Sequence, residues 1–125
     1  MFDGIKLLTF VFSAINMSYM FVMKDNFYGE FIHGSSFVNI MFAYIAWACM
    51  SVALKWYVID RKDFGYKSVF THGPLLGFII YAIMNICLMT VRPDWSAAMA
   101  STDVFFGTGM FMMVSLFALI FKKFL

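Results

Sequence analysis

The stretch GPLLGFIIYAIMNICLMTV, from Gly73 to Val91, decides how the chain is read. It carries no charge over its whole length and closes at Arg92-Pro93-Asp94. About 20 helical residues, rising 1.5 Å each, cross a ~30 Å hydrocarbon layer. A membrane strand would alternate polar with apolar residues over about ten positions. This run is apolar on nearly every face for almost twice that length. Helix also satisfies its own backbone hydrogen bonds, which hydrocarbon demands. Proline is tolerated in a first helical turn, so Gly73-Pro74 is read as the start of this helix.

Working outward, three more runs have the same character: Leu7 to Met23, Phe37 to Leu54 and about Ala97 to Phe121. Lys6, Lys24 and Asp25 bound the first, Lys55-Trp56-Tyr57 closes the second, and Lys122-Lys123 stops the fourth. The first run is too long for the core of a signal peptide, contains Asn16, and has no small-x-small cleavage site before the charges, so it is read as a retained helix. The expectation is an all-α, integral membrane four-helix bundle. One transmembrane domain covers residues 1–125, with helices at about 5–23, 37–57, 73–91 and 97–121.

Composition agrees. Of 125 residues 63% are hydrophobic and 13% charged, about half the charged fraction of an ordinary soluble domain. A net charge of +2, with no basic stripe, excludes nucleic acid as a partner. Cys49 and Cys87 lie inside apolar runs, where a thiol behaves as a small hydrophobe. His33 and His72 have no Cys or Glu at ligand spacing, so no metal is expected, and no cofactor is expected either.

Basic residues stay preferentially on the cytoplasmic side. With four crossings, Lys6, Lys55, Arg61, Lys62, Lys67, Lys122 and Lys123 share one face, while Lys24 and Arg92 share the other. Both termini are therefore expected in the cytoplasm. Trp56, Tyr57 and Trp95 are expected as aromatic anchors at the water interface. The loop from Lys24 to Ser36, with Phe27, Tyr28, Phe31 and Ile32, is read either as a helix lying in the headgroup layer or as a simple aromatic anchor.

Polar side chains inside the runs mark the buried faces, because each is unfavourable in lipid without a partner. In the first helix Thr9, Ser13, Asn16 and Met20 share a face. In the third, Gly73, Gly77, Tyr81 and Asn85 form an unbroken i, i+4 line, and in the fourth Asp103, Gly107 and Met110 do the same. Under the assigned topology Asn16, Asn39, Asn85 and Asp103 all fall in the outer half of the bilayer, where with Tyr81 they form a candidate polar cluster. Gly73, Gly77 and Gly107 are read as close-packing positions. The cluster serves as interhelical glue in the favoured reading, or binds a lipid headgroup, ion or small polar solute in the other. Amides exchange no protons, which leaves Asp103 as the cluster's carboxylate. No nucleophile stands beside a base, so no catalytic residue is assigned and the chain is not read as an enzyme.

The segment from Gly77 through Tyr81 to Asn85, then Trp95, then Thr102-Asp103-Val-Phe-Phe-Gly107-Thr108, resembles the C-terminal half of a family of small membrane proteins. That family is called domain of unknown function 2177 and has members in bacteria, algae and large DNA viruses. Asn16, Tyr19 and Phe27-Tyr28 are similar to its first-helix pattern of Asp, Trp and Phe-Tyr. The chain departs at Asn16 and Asn85, amides where bacterial members tend to have carboxylates, and at Cys87 and Leu88, where they tend to have Thr and Asn. The resemblance implies the membrane fold and leaves the activity open. The favoured role is a structural or accessory subunit of a larger assembly, packed in the bilayer against other membrane or capsid-type subunits or further copies of itself. For a viral source this becomes a component of the virion's inner membrane. The alternative is a small transporter or lipid-binding protein.

Overall fold

A computed structural model describes residues 2–23 and 37–122. Among these residues all regular structure is helical: α1 Phe2–Met23, α2 Phe37–Leu54, α3 Tyr66–Val91 and α4 Ala97–Ile120. Among the described residues three segments are long and apolar enough to cross a membrane, namely Met41–Ile59, Tyr66–Val91 and Ala97–Ile120. At 22 residues, α1 also reaches about 33 Å. The loop from Lys24 to Ser36 lies outside the described residues, as do the side chains of Met20 and Asn39.

The chain divides into two packed units. The first holds α1 and α2 as far as Ala53. Within it the hydroxyls of Thr9 and Ser51 meet at 3.1 Å, and each also donates to its own helix, to the carbonyls of Ile5 and Trp47. Thr9 and Asn16 are buried, as the polar face of α1 required, and Ser13 is half-buried.

The second unit runs from Leu54 to Lys122. The α-helical bonds of α2 stop at Leu54, and a π-helical turn, Lys55–Ile59, carries the axis on, burying Val58 and Ile59. Lys55, with a side chain only 12% exposed, reaches Asp60 at 2.8 Å at the end of this turn. The chain then turns through Arg61–Gly65 into α3.

Here the structure corrects the expected start of the third helix. It begins at Tyr66, seven residues before Gly73, so Pro74 sits inside the helix. Tyr66 to His72 form two polar-faced turns below the apolar run. The buried Ser68 hydroxyl, donating to the Asp63 carbonyl at 3.2 Å, holds this extension to the preceding turn. A proline at this position removes the amide that would bond the Phe70 carbonyl, a loss that membrane helices tolerate.

α3 ends at Val91, where Pro93 prevents its continuation. After a short turn the Ser96 hydroxyl caps α4 by accepting from the Met99 amide at 3.2 Å. α3 and α4 form an antiparallel hairpin with the most extensive packing among the described helices. The face of α3 turned to α4 is the Gly73, Gly77, Tyr81, Asn85 line, all buried. Its opposite face displays Leu75, Ile79 and Ile83, and on α4 Phe105 is 84% exposed. Apolar surface on that scale suits lipid as its solvent.

Two glycines set the helix separation. A Cβ at Gly77 would lie 2.7 Å from both the Gly107 carbonyl oxygen and the Phe111 Cβ, and a Cβ at Gly107 would enter the Tyr81 ring. Backbone therefore approaches backbone, as small residues permit between membrane helices. The Tyr81 ring lies edge-on to Phe106 and Phe111, with centroids 6.5 Å away in each case.

At the far end of the hairpin, Lys122 Nζ sits 5.8 Å from the centre of the Phe64 ring, tying the end of α4 to the turn before α3. Lys55, Arg61, Lys62, Lys67 and Lys122 thus gather at one end of this unit, with Arg92 at the other.

Candidate functional site

The hairpin fixes a polar site about two turns from its closed end. Asn85 projects from the buried line of α3, and Asp103 lies two turns into α4. Asn85 Nδ2 donates to Asp103 Oδ2 at 2.7 Å and to the Tyr81 carbonyl at 2.8 Å. Asn85 Oδ1 accepts from the indole N–H of Trp95 at 2.9 Å. The amide thus uses both its protons and its oxygen in bonds that link α3, α4 and the turn between them. Asn85 is 2% exposed, Trp95 6%. Interhelical bonds of this kind contribute about 0.6 kcal/mol on average and up to about 1.7 kcal/mol in membranes.

Trp95 is the second correction. It was expected as an interfacial anchor, but its ring is buried and it belongs to the polar site. The turn at Arg92–Asp94, closed by the Trp95 amide donating to the Arg92 carbonyl at 3.0 Å, folds the indole back over Asn85. Trp56 and Tyr57, at 74% and 66% exposed, occupy positions suited to an anchor.

Tyr81, Asn85 and Asp103 are therefore brought together, and Gly73, Gly77 and Gly107 line the same helix contact, Gly73 opposite Ser115. Asn16 belongs to the first unit, where its side-chain amide donates to the Phe12 carbonyl at 2.9 Å. The Asn39 side chain lies outside the described residues.

The closed end also carries an exposed ion pair, Arg92 to Asp94 at 3.1 Å, which holds the Asp94 carboxyl below its ordinary range. At the other end Arg61 does the same for Asp63, 3.0 Å away. Among the described residues no three His, Cys, Asp or Glu side chains are grouped to hold a metal ion.

Beside the polar site, and not foreseen from periodicity, a groove of about 730 Å³ runs along one side of the hairpin. Pro74, Phe78, Ala82 and Met89 form one wall, and Val104, Phe105, Gly109 and Met112 the other. Asn85 lies at its floor. Gly109 differs from the packing glycines, since a Cβ there would meet nothing within 4 Å.

No curated protein and no solved structure matches the chain. A family model does: the one described as Predicted membrane protein (DUF2177) matches residues 4–120, almost the full length, and the chain belongs to that family.

Proposed function

We propose that this integral membrane protein is a non-catalytic, multi-pass subunit of a larger membrane assembly, in which the Asn85–Asp103–Trp95 cluster clamps the α3–α4 hairpin. The observation that carries this reading is the saturation of Asn85. Its three hydrogen-bonding atoms are directed at the chain's own groups, as a structural joint requires. A transport site needs polar atoms directed at a solute. The exposed ridge of Leu75, Ile79 and Ile83 then meets lipid or neighbouring subunits.

The topology proposed with it has four crossings and both termini in the cytoplasm. Supporting it is the gathering of Lys55, Arg61, Lys62, Lys67 and Lys122 at one end of the second unit, against Arg92 at the other. A tag on either terminus should then be cut by protease only after the cytoplasmic face is opened; cutting from outside reverses the orientation.

Extraction in mild detergent should yield the chain with other protein subunits or further copies of itself. Recovery as a lone, monodisperse particle counts against the assembly role. In a virus-encoded setting the assembly is the virion's inner membrane, and purified virions should contain the chain after their outer layers are stripped.

A further inference from the structure

The groove along α3 and α4 has a shape and a lining that select its occupant. From Pro74 to Met89 its α3 wall advances about 22 Å. Its volume is about 730 Å³, drawn out along that length and open on one side. Water finds too few partners along a wall of Phe78, Ala82, Ile86, Val104 and Phe105. An empty groove would forgo the dispersion contacts of both walls. A thin, flexible apolar chain makes those contacts along the whole length. One leaflet's hydrocarbon is about 15 Å deep, so a single lipid tail fits the groove's length.

The two ends differ. Asn85, Ser101 and Met89 mark the end nearest the turn, where the half-exposed Arg92, paired with Asp94, stands three residues past Met89. Pro74 and Met112 mark the other end, which is apolar. Gly109 adds an independent sign. The other helix-contact glycines are occupied by neighbouring atoms, whereas Gly109 faces open space inside the groove and keeps it deep.

We propose that this groove binds one acyl chain of a bilayer phospholipid, with the phosphate headgroup at the Arg92–Trp95 turn and the tail running toward Pro74 and Met112. The site does not depend on the subunit role, because it is built from this chain alone.

The test uses the full chain in phosphatidylcholine vesicles doped with phosphatidylcholine bearing a photoactivatable acyl chain. Labelling should concentrate on the segments around Phe78–Ala82 and Phe105–Gly109, above the lipid-facing ridge at Ile79 and Ile83. Gly109→Phe projects a ring into the groove from a position whose Cβ meets nothing within 4 Å, so labelling there should drop about tenfold while the melting temperature stays near that of Gly109→Ala. Ala82→Phe fills it from the opposite wall and should act alike. Uniform labelling of groove and ridge, or wild-type labelling in both variants, overturns the proposal. Equal displacement by free palmitate assigns the groove to a fatty acid, and a disulfide-linked dimer from Gly109→Cys assigns it to a second copy. Either result overturns the phospholipid.

Discussion

Replacing Gly77 by alanine tests the closeness of α3 and α4 directly. The added Cβ would sit 2.7 Å from the Gly107 carbonyl oxygen and from the Phe111 Cβ, against 3.4 Å or more for ordinary contact. Neither neighbour is the free end of a flexible side chain, so the helices must part by about 0.7 Å. Over-packing of this sort costs about 1–3 kcal/mol. Alanine's better helix propensity returns about 1 kcal/mol, for a net loss of about 1 kcal/mol at the middle of that range. Gly109→Ala is the internal control, since its Cβ meets nothing and only the propensity gain remains. The two substitutions, chemically identical and both in the hairpin, should therefore differ by about 2 kcal/mol with opposite signs. That is on the order of 6–12 °C in melting temperature, between the scales for 60–100 and for 150–250 residues. Thermal unfolding followed by circular dichroism in a mild detergent reads the difference. If Gly77→Ala melts at or above Gly109→Ala, the backbone contact between α3 and α4 is not what holds the hairpin.

Asn85→Leu removes three hydrogen bonds at once and should cost about 2–5 kcal/mol, read as a lower midpoint in the same melt. Trp95→Phe keeps the ring and loses only the N–H, so a drop of about 0.6–1.7 kcal/mol is expected, whereas Trp56→Phe should be silent. The Asp63 and Asp94 carboxyls, first through their hydrogen bonds from Arg61 and Arg92, sit below their ordinary value of 3.8. Their contribution is present above that value and is lost as pH falls through the lowered one. Both pairs are exposed, so the double variant Asp63→Asn, Asp94→Asn should melt only slightly below wild type at neutral pH and converge with it in acid, which flattens the acid limb.

Much of the fold was legible because each helix announces itself locally. A charge-free run of membrane length has few other solutions, and the i, i+4 line from Gly73 to Asn85 named the buried face of α3 without any partner in view. The meeting of Asn85 with Asp103 was also within reach, since both are unfavourable in lipid alone. What escaped depends on geometry that periodicity does not encode. The start of α3 was placed at Gly73-Pro74 because hydropathy rises there, but helix continues below it through Tyr66–His72, where polar side chains face out and Ser68 anchors the backbone. Trp95 was read from its position beside charges, yet the turn before it decides where the ring points. The groove belongs to neither helix, arising only where the Phe78 wall stands opposite the Phe105 wall.

The joint between Asn85 and Asp103 bears on how the protein is made. Synthesis delivers α3 to the insertion machinery before α4, and an aspartate inside a lone helix disfavours its insertion, by about 2.5–3.5 kcal/mol at the helix centre and by less two turns from its end. With α3 already waiting, the incoming carboxylate accepts from an amide nitrogen 2.7 Å away and is no longer bare in the lipid. The hairpin is thus the natural unit of biogenesis, and the second strand of it should enter the bilayer efficiently only in the company of the first.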